Sequence, residues 1–188
     1  MGIHYEERIM NMNRIAKFEK VSYEQFKKDW LDTFGYKYND DEDYVDSMIR
    51  KIYDSIKLPR RATSGSAGYD FFSPSRIPIT DGTAVKIPTG IRCRMENGWV
   101  LQAYPRSGHG FKTGIHLANT VGIVDEDYFG SSNEGHIFIK LVNDGFAAKH
   151  MVIDTGDAFC QGIFVPYGIT MDDDVSEVRD GGFGSTGR

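Results

Sequence analysis

A chain of 188 residues, 40% of them hydrophobic, is long enough to form one folded domain with a buried core. Its formal net charge of -5 argues against a nucleic-acid polymer as partner, although a local group of donors can still bind a small anion. Cys93 and Cys160 match no metal-ligand spacing and are expected to be buried thiols. No apolar run suits a signal peptide or a membrane span, so we expect a cytoplasmic protein without a membrane partner.

The N-terminal region is predicted to contain a leader and one strand. Residues 1–13 lack apolar periodicity and are expected to be disordered. Residues 14–21 alternate partly between apolar and polar side chains, which predicts a strand. Ser22 with Gln25 resembles a capping box, so a helix is expected to follow.

Residues 22–56 carry two apolar stripes at helical spacing on either side of an acidic turn at 39–43, which predicts a helical hairpin. The apolar face either packs on the rest of the domain, the ordinary outcome for such a stripe, or binds a protein partner. No chemistry is assigned to this insertion. The stripes comprise Tyr23, Phe26, Trp30 and Phe34, and then Val45, Met48, Ile49, Ile52 and Ile56.

From Lys57 onward the pattern is typical of an all-β region. Short apolar or alternating runs at 84–87, 99–103, 136–142 and 158–165 are separated by Gly, Pro, Asn and Asp, and each run is a predicted strand. This spacing fits a sandwich, a jelly roll or a barrel, and periodicity does not choose among them.

The chain ends in a Gly-rich stretch, residues 179–188. Successive glycines let backbone N–H groups converge on an anion, and Ser185 and Thr186 add side-chain donors. We expect this terminal stretch to order on a ligand as a lid, although its composition is also typical of a solvated terminus. It lacks the Lys of a Walker loop, which argues against that class of ATPase.

Five segments occur in a fixed order between residues 57 and 188. They are PRRATSGSAGYD (59–70), YPRSG (104–108), NTVGIVDEDYFG (119–130), GDAFCQGIFVP (156–166) and GGFGSTG (181–187). Together they resemble the segments of the trimeric deoxyuridine triphosphate nucleotidohydrolases (dUTPases). The resemblance implies a mainly β, jelly-roll subunit in a homotrimer whose active sites are shared between chains. It also implies a single domain at 14–188, with the helical insertion and a mobile arm at 178–188.

The same resemblance implies hydrolysis of dUTP to dUMP and pyrophosphate by attack of water at the α-phosphorus, which limits uracil in DNA and supplies dUMP. Asp125 would be the general base, with Asp127 in a supporting position. Mg²⁺ would bind the triphosphate oxygens, with Asp70 acting through a metal-bound water. Either Asp125 or Asp70 could instead be an ordinary turn residue, and Asp70 could also lie at a trimer contact.

Phosphate contacts are implied for residues of the second, fourth and fifth segments. Arg106 could instead pair with an acid, and Gln161 could be an ordinary strand-end amide. The implied phosphate-binding residues are Arg106, Ser107, Gly108, Gln161, Arg179, Gly184, Ser185 and Thr186.

Uracil recognition is implied for the third segment, where the Asn119 amide and the backbone around Gly122 and Ile123 would pair with the base. Cytosine would leave these groups unpaired. Tyr128 would lie under the deoxyribose and exclude a 2′-hydroxyl, although packing in the core is the ordinary role of a buried aromatic residue. Phe183 on the arm would stack over the base.

Three departures from the family pattern concern Arg179, the helical insertion and His109, which stands where the family more often has an apolar residue and is assigned no catalytic role. One residue fewer than usual separates Arg179 from the paired glycines, so we expect an altered register, with Arg188 as a candidate substitute.

Two alternative functions are compatible with the same fold. A deoxycytidine triphosphate deaminase is disfavoured by residues 106–108 and 125–128, and a nucleotide-sensing regulatory protein would use residues 22–56 to bind a partner.

Overall fold

The fold consists mainly of β-strands, with a pair of helices near the N-terminus. The computed structural model describes residues 13–35, 41–145, 150–177, 179 and 181. These ranges contain the α-helices α1 (Tyr23–Phe34), α2 (Glu42–Ser55) and α3 (Ser107–Thr113), and a 3₁₀ helix at Glu126–Gly130. The strands of the same ranges are β1 (Ala16–Lys20), β2 (Arg60–Arg61), β3 (Tyr69–Phe72), β4 (Ile77–Thr80), β5 (Ala84–Pro88), β6 (Ile91–Met95), β7 (Trp99–Pro105), β8 (Ile115–Leu117), β9 (Gly122–Val124), β10 (Phe138–Asn143), β11 (His150–Ile153) and β12 (Ala158–Pro166).

The described strands pair antiparallel in four sheets, ordered β1-β6, β5-β10-β8, β11-β4 and β2-β3-β12-β7-β9. The five-stranded sheet positions most of the candidate site residues. Asp70 on β3 lies opposite Gln161 on β12, and β12 also pairs with β7, which ends just before Arg106. β9, which leads to Asp125, pairs with the other edge of β7. The mainly β class predicted from the sequence is confirmed.

The predicted strands all form, with ends shifted by one or two residues. The run at 14–21 becomes β1, and the runs at 84–87, 99–103, 136–142 and 158–165 become β5, β7, β10 and β12. Strand periodicity was therefore a sufficient local signal for these elements, because each alternates or is continuously apolar between turn residues.

The prediction that the region after Lys57 is all β was wrong at α3, which follows β7, and at the 3₁₀ helix Glu126–Gly130. Pro105 ends β7, since proline has no N–H to donate to a further ladder bond. The chain then turns helical, and Gly114 ends the helix at a φ of 68°, with its N–H bonded to the Gly110 carbonyl. The Thr113 hydroxyl donates to the His109 carbonyl and closes the last turn.

The two helices of the predicted hairpin are confirmed as α1 and α2, and residues 36–40 between them, with part of the predicted acidic turn, lie outside the described residues. Ser22 caps α1 by accepting a hydrogen bond from the Gln25 N–H at 3.1 Å, and Asp41 caps α2. The reciprocal half of the capping box differs from expectation. The Gln25 side chain donates to Asp29, and the Ser22 N–H is bonded instead by Glu134, far along the chain.

The apolar face of the hairpin packs into the core of the domain. Gly90, at a φ of 72°, is the point of closest approach, since an added Cβ there would clash with Ile56 and press on Phe26. Phe34, at the end of α1, stays 40% exposed. The hairpin residues that join the main core cluster are Tyr23, Phe26, Trp30, Val45, Ile49 and Ile56.

Both thiols are buried, as predicted, and burial raises the pKa of Cys93 and of Cys160 to about 12. None of the helices in the described ranges is long and apolar enough to cross a membrane. The predicted leader lies outside the described residues except for Asn13, and only Arg179 and Gly181 of the predicted arm are described.

Candidate functional site

Asp125 and Asp127 lie where β9 ends and the 3₁₀ helix begins. Asp125 has extended backbone, and its carbonyl accepts the Tyr128 N–H at 3.2 Å, which starts the 3₁₀ turn. The two carboxylates are half exposed, with 51% and 49% of their side-chain surface accessible. The short strand and the tight turn therefore present two acidic groups side by side to solvent and to any ligand.

Arg179, one of the two described residues of the predicted arm, lies against these two carboxylates. Its Nη2 lies 2.5 Å from Asp125 Oδ2, and its Nε lies 2.8 Å from Asp127 Oδ1. The guanidinium also sits 5.7 Å from the centre of the Tyr128 ring, and only 12% of the side chain is exposed. Arg179 thus contacts the third segment of its own chain through a fork of two charge-assisted hydrogen bonds.

Two hydrogen bonds fix the hydroxyl group of Tyr128. Its hydroxyl donates to the His136 carbonyl at 2.9 Å and accepts from Asn133 Nδ2 at 2.8 Å. The residue is 5% exposed, and burial raises the pKa of its phenol. A ring pinned at its hydroxyl end and covered by Arg179 suits either a sugar platform or a core contact.

A cleft of about 420 Å³ brings together the residues predicted to read the base. Asn119, Gly122 and Ile123 line one wall, and Ile123 is half exposed. An added Cβ at Gly122 would lie 3.0 Å from the Ala103 Cβ and 3.6 Å from the Asn119 amide nitrogen, so a larger residue would narrow the cleft.

Sequence reasoning missed part of the cleft lining. Asn133, Phe138, Lys86 and Lys140 also line the cleft. Asn133 follows two serines and precedes Glu-Gly, a composition that marks a turn but does not reveal which cavity the turn borders. The strand residues come from β5 and β10, whose pairing across the sheet only the tertiary structure shows.

A second group comprises Asp70, Arg106 and Gln161. Arg106 Nε lies 3.2 Å from Asp70 Oδ1, so the alternative pairing of Arg106 with an acid is observed. Arg106 Nη1 also donates to the Ala158 carbonyl, and Gln161 Nε2 donates to the Pro105 carbonyl, each at 3.3 Å. These bonds gather residues from three segments at one end of the sheet.

Ser107 and Gly108 form the exposed first turn of α3, directly after that group. The first N–H groups of a helix have no partner within the helix. An added Cβ at Gly108 would meet open space, so a ligand can approach the backbone there.

The described residues hold no cluster of three or more His, Cys, Asp or Glu that could bind a metal ion. Phe183, Gly184, Ser185, Thr186 and Arg188 lie outside the described residues. His109, to which no role was assigned, places its Nε2 3.3 Å from the Ala158 carbonyl.

Comparisons with known proteins point to one family. The dUTPase family model matches residues 54–187. The deoxyuridine 5′-triphosphate nucleotidohydrolase of Lactococcus lactis is 40% identical over 135 residues, which cover 70% of this chain and 89% of that protein. That of Hahella chejuensis is 36% identical over 151 residues, which cover 76% and 95%.

Solved structures agree with this similarity. The dUTPase from Streptococcus mutans superposes with a TM-score of 0.56 at 36% identity, over 62% of this chain and 90% of that one. A Staphylococcus bacteriophage 80alpha dUTPase superposes with a TM-score of 0.59 at 16% identity, over 89% and 100%. At that identity the phage protein supports the fold alone.

Proposed function

Since the chain belongs to the dUTPase family and hydrolyses dUTP to dUMP and pyrophosphate, we propose that Asp125 activates the water that attacks the α-phosphorus. Its carboxylate accepts a proton from that water as the new O–P bond forms, and the bond to the β-phosphate oxygen breaks with its electron pair on pyrophosphate. The half-exposed position of Asp125 at the end of β9, within the segment that also lines the cleft, carries the proposal. Positioned base catalysis of this kind contributes about 10²–10⁴-fold.

The cleft lined by Asn119, Gly122 and Ile123 is the proposed uracil site. The Asn119 amide and the backbone from Asn119 to Ile123 would pair with the polar edge of the base, and the missing side chain of Gly122 leaves room for it. Cytosine presents a donor where uracil presents an acceptor, so each mismatch would leave a buried polar group unpaired at a cost of about 1–3 kcal/mol. A few such mismatches suffice for strong discrimination.

Tyr128 is the proposed platform for the deoxyribose. A ring that cannot tilt, because its hydroxyl is bonded to His136 and Asn133, leaves no space for a 2′-hydroxyl. Phe183 on the arm would cover the base from the other side and exclude water while the reaction proceeds. UTP is therefore expected to be a poor substrate.

The triphosphate would be bound by Arg106, Gln161 and the first turn of α3 at Ser107 and Gly108. Arg and amide donors suit phosphate oxygens, and helix N–H groups without an internal partner suit anions. The ion pair to Asp70 and the bond to the Ala158 carbonyl orient the Arg106 guanidinium for this contact.

Mg²⁺ fits the donor set at this end of the sheet. One carboxylate, Asp70, with 18% of its side chain exposed beside Arg106, suits an ion held mainly by phosphates and water rather than by a protein cage. Asp70 would bind one of those waters. The bound ion supplies positive charge against the phosphate oxygens.

Arg179 is proposed to occupy two positions during turnover. In the structure its fork occupies one carboxylate oxygen of Asp125 and one of Asp127. The γ-phosphate would draw Arg179 away, and Gly184, Ser185 and Thr186 would add donors from the arm. Closing of the arm would thereby free this oxygen of Asp125 when a triphosphate is bound.

A jelly-roll subunit in a homotrimer is the proposed assembly. In the five-stranded sheet β3 and β9 are three strand spacings apart, about 14 Å at roughly 4.8 Å per spacing. Asp70 and Asp125 therefore belong to opposite parts of the sheet, which supports sites completed by neighbouring chains. The two free, buried thiols suit the cytoplasm. The buried apolar face of the hairpin favours packing on its own domain over a protein partner.

The test is to incubate the protein separately with dUTP, dCTP, dTTP and UTP, with and without Mg²⁺, and to follow pyrophosphate and nucleoside monophosphate. We expect dUMP and pyrophosphate from dUTP, with kcat lowered about 10²–10⁴-fold by Asp125→Asn and much less by the matched Asp127→Asn variant. Full turnover by Asp125→Asn would assign the base to another residue. Equal turnover of dCTP would overturn the proposed uracil site.

A further inference from the structure

The helical hairpin is tied at two points to the turn that follows Tyr128. The Ser22 N–H and hydroxyl donate to the two carboxylate oxygens of Glu134, both at 2.7 Å. About two helical turns farther along α1, Asp29 Oδ2 lies 2.6 Å from Nδ1 of His136, a side chain that is fully buried. Both anchors join α1 to residues more than a hundred positions away.

The hydrogen-bond pattern fixes the state of His136. The Gly90 N–H donates to Nε2 at 2.8 Å, so Nε2 is an acceptor and Nδ1 carries the hydrogen that Asp29 accepts. Burial alone would raise the pKa of Asp29, but hydrogen bonds from His136 and Gln25 outweigh it and lower that pKa. The pKa of Glu134 is lowered in the same way, with its Ser22 bonds outweighing burial.

The anchored turn is also what holds Tyr128. The His136 carbonyl and the Asn133 amide both bond to the Tyr128 hydroxyl, and the Ser131 hydroxyl donates to the Asn133 side chain at 2.7 Å. Asn133 itself lines the cleft. Any shift of this turn therefore moves the Tyr128 ring and one wall of the cleft together.

The backbone of the turn needs outside support. Glu134 has a φ of 59°, a conformation costly for a residue with a side chain. Gly135 follows at a φ of 71°, and an added Cβ there would lie 2.7 Å from the Phe129 Cα. Arg92 supports the same region by donating to the Phe129 carbonyl at 2.8 Å and lying 3.9 Å from the Glu134 carboxylate.

We propose that Asp29 and Glu134 are positioning residues for substrate selection, through which the helical hairpin holds Tyr128 rigid against the sugar. This inference rests on the proposed role of Tyr128 as the deoxyribose platform. A platform that can tilt admits the 2′-hydroxyl, so loosening the anchors should raise the use of UTP relative to dUTP. A purely structural joint would lower stability and leave that ratio unchanged.

The test compares kcat/KM for dUTP and UTP in the full chain. Asp29→Ala removes the acceptor for His136, whereas Asp29→Asn keeps a side-chain oxygen at the same place. Glu134→Gln keeps the shape of the second anchor and weakens its bonds to Ser22. Glu24→Ala, an exposed acidic residue of the same helix, is the matched control.

We expect the dUTP-to-UTP ratio to fall about tenfold in Asp29→Ala and about threefold in Glu134→Gln, the scale of losing or weakening one hydrogen bond to a charged group. Asp29→Asn should restore most of the ratio, and Glu24→Ala should keep it. Amide hydrogen exchange across residues 126–136 should be faster in Asp29→Ala than in Glu24→Ala.

Two results separate the inference from the proposed function. A wild-type protein that uses dUTP and UTP equally would sink the role of Tyr128 itself. A selective wild type, with folded Asp29→Ala and Glu134→Gln variants that keep its ratio, would overturn only the positioning inference. Should Asp29→Ala fail to fold, the ratio in Glu134→Gln decides alone.

Discussion

Two carboxylate pairings connect distant parts of this chain, and they differ in burial. Asp29 meets a His136 side chain with no exposed surface, and only 14% of its own side chain is accessible. Asp125 and Asp127 meet Arg179 while about half of each carboxylate stays in water. The first pair joins the helical hairpin to the sheet, and the second joins the C-terminal arm to the candidate base.

The difference shows how one kind of contact can serve two purposes. A buried partner cannot be replaced by water, so breaking the Asp29 pair leaves a polar group unsatisfied. An exposed pair exchanges readily with water or with another anion, and contributes little to stability. We call the buried Asp29–His136 pair the fixed joint, because water cannot replace it. We call the exposed contact of Arg179 with Asp125 and Asp127 the releasable contact.

The largest expected effect is a loss of turnover, with little change in stability, when Asp125 of the exposed pair is replaced. Asp125→Asn should lower kcat for dUTP by about 10²–10⁴-fold, because the amide cannot take a proton from water. The free energy of unfolding should change by only about 0.5 kcal/mol, the usual size at an exposed position. Pyrophosphate release and urea denaturation measure the two quantities, and a large loss of stability would contradict this assignment.

The fixed joint can be broken by filling the space at Gly90. Gly90→Ala should destabilise the protein by about 2–4 kcal/mol, because a positive φ disfavours the side chain and the new Cβ clashes with Ile56. Gly82→Ala is the matched control, since its φ is 66° and open space surrounds it. Gly82→Ala should cost about 1–2 kcal/mol. Equal losses in urea denaturation would show that packing of the hairpin on the sheet contributes nothing.

The releasable contact is tested by changing Arg179. Arg179→Ala should lower kcat/KM for dUTP by about 10–100-fold, since a charge-assisted bond to phosphate is lost. Arg179→Lys keeps the charge without the fork and should recover part of the activity. Thermal unfolding without nucleotide should barely change in either variant. A marked drop in melting temperature would instead make this contact part of the fold.

The smallest expected effect is a pH dependence of stability at the fixed joint. The pKa of Asp29 is lowered in the folded protein, so its contribution is complete above the ordinary carboxyl pKa of about 4 and is lost as the pH falls through the folded value. Between pH 6 and about pH 3, wild type should lose more stability than Asp29→Asn, by on the order of 0.5 kcal/mol. Parallel curves in denaturant titrations would argue against the pairing.

Local patterns predicted much of this architecture. The stripes in residues 22–56 report helical spacing directly, and the strand runs report alternation, so both appear where expected. α3 was missed because it is only seven residues long and contains Gly108 and Gly110, which disfavour a helix by about 1 kcal/mol each. Its position after β7 and its Gly114 cap decide its conformation, and neither is a periodic signal.

Contacts between segments that are distant in sequence could not be predicted from local sequence patterns. Asn119, Gly122 and Ile123 were expected together because the family resemblance assigns all three to the base, and they share one cleft. Pairing of Arg106 with an acid was left as one of two alternatives, and only the strand register identifies that acid as Asp70. The bond from Arg179 to Asp125 spans 54 residues, and no spacing rule predicts it.

The start of α1 shows what such distance costs during synthesis. The backbone N–H of its N-cap, Ser22, is satisfied by Glu134, which is 112 residues farther along the chain. During synthesis the bond from the Gln25 N–H to Ser22 can form early. The bond from the Ser22 N–H to Glu134 can form only after the ribosome has added Glu134. Because closing so long a loop is slow, docking of the hairpin should be among the last events of folding.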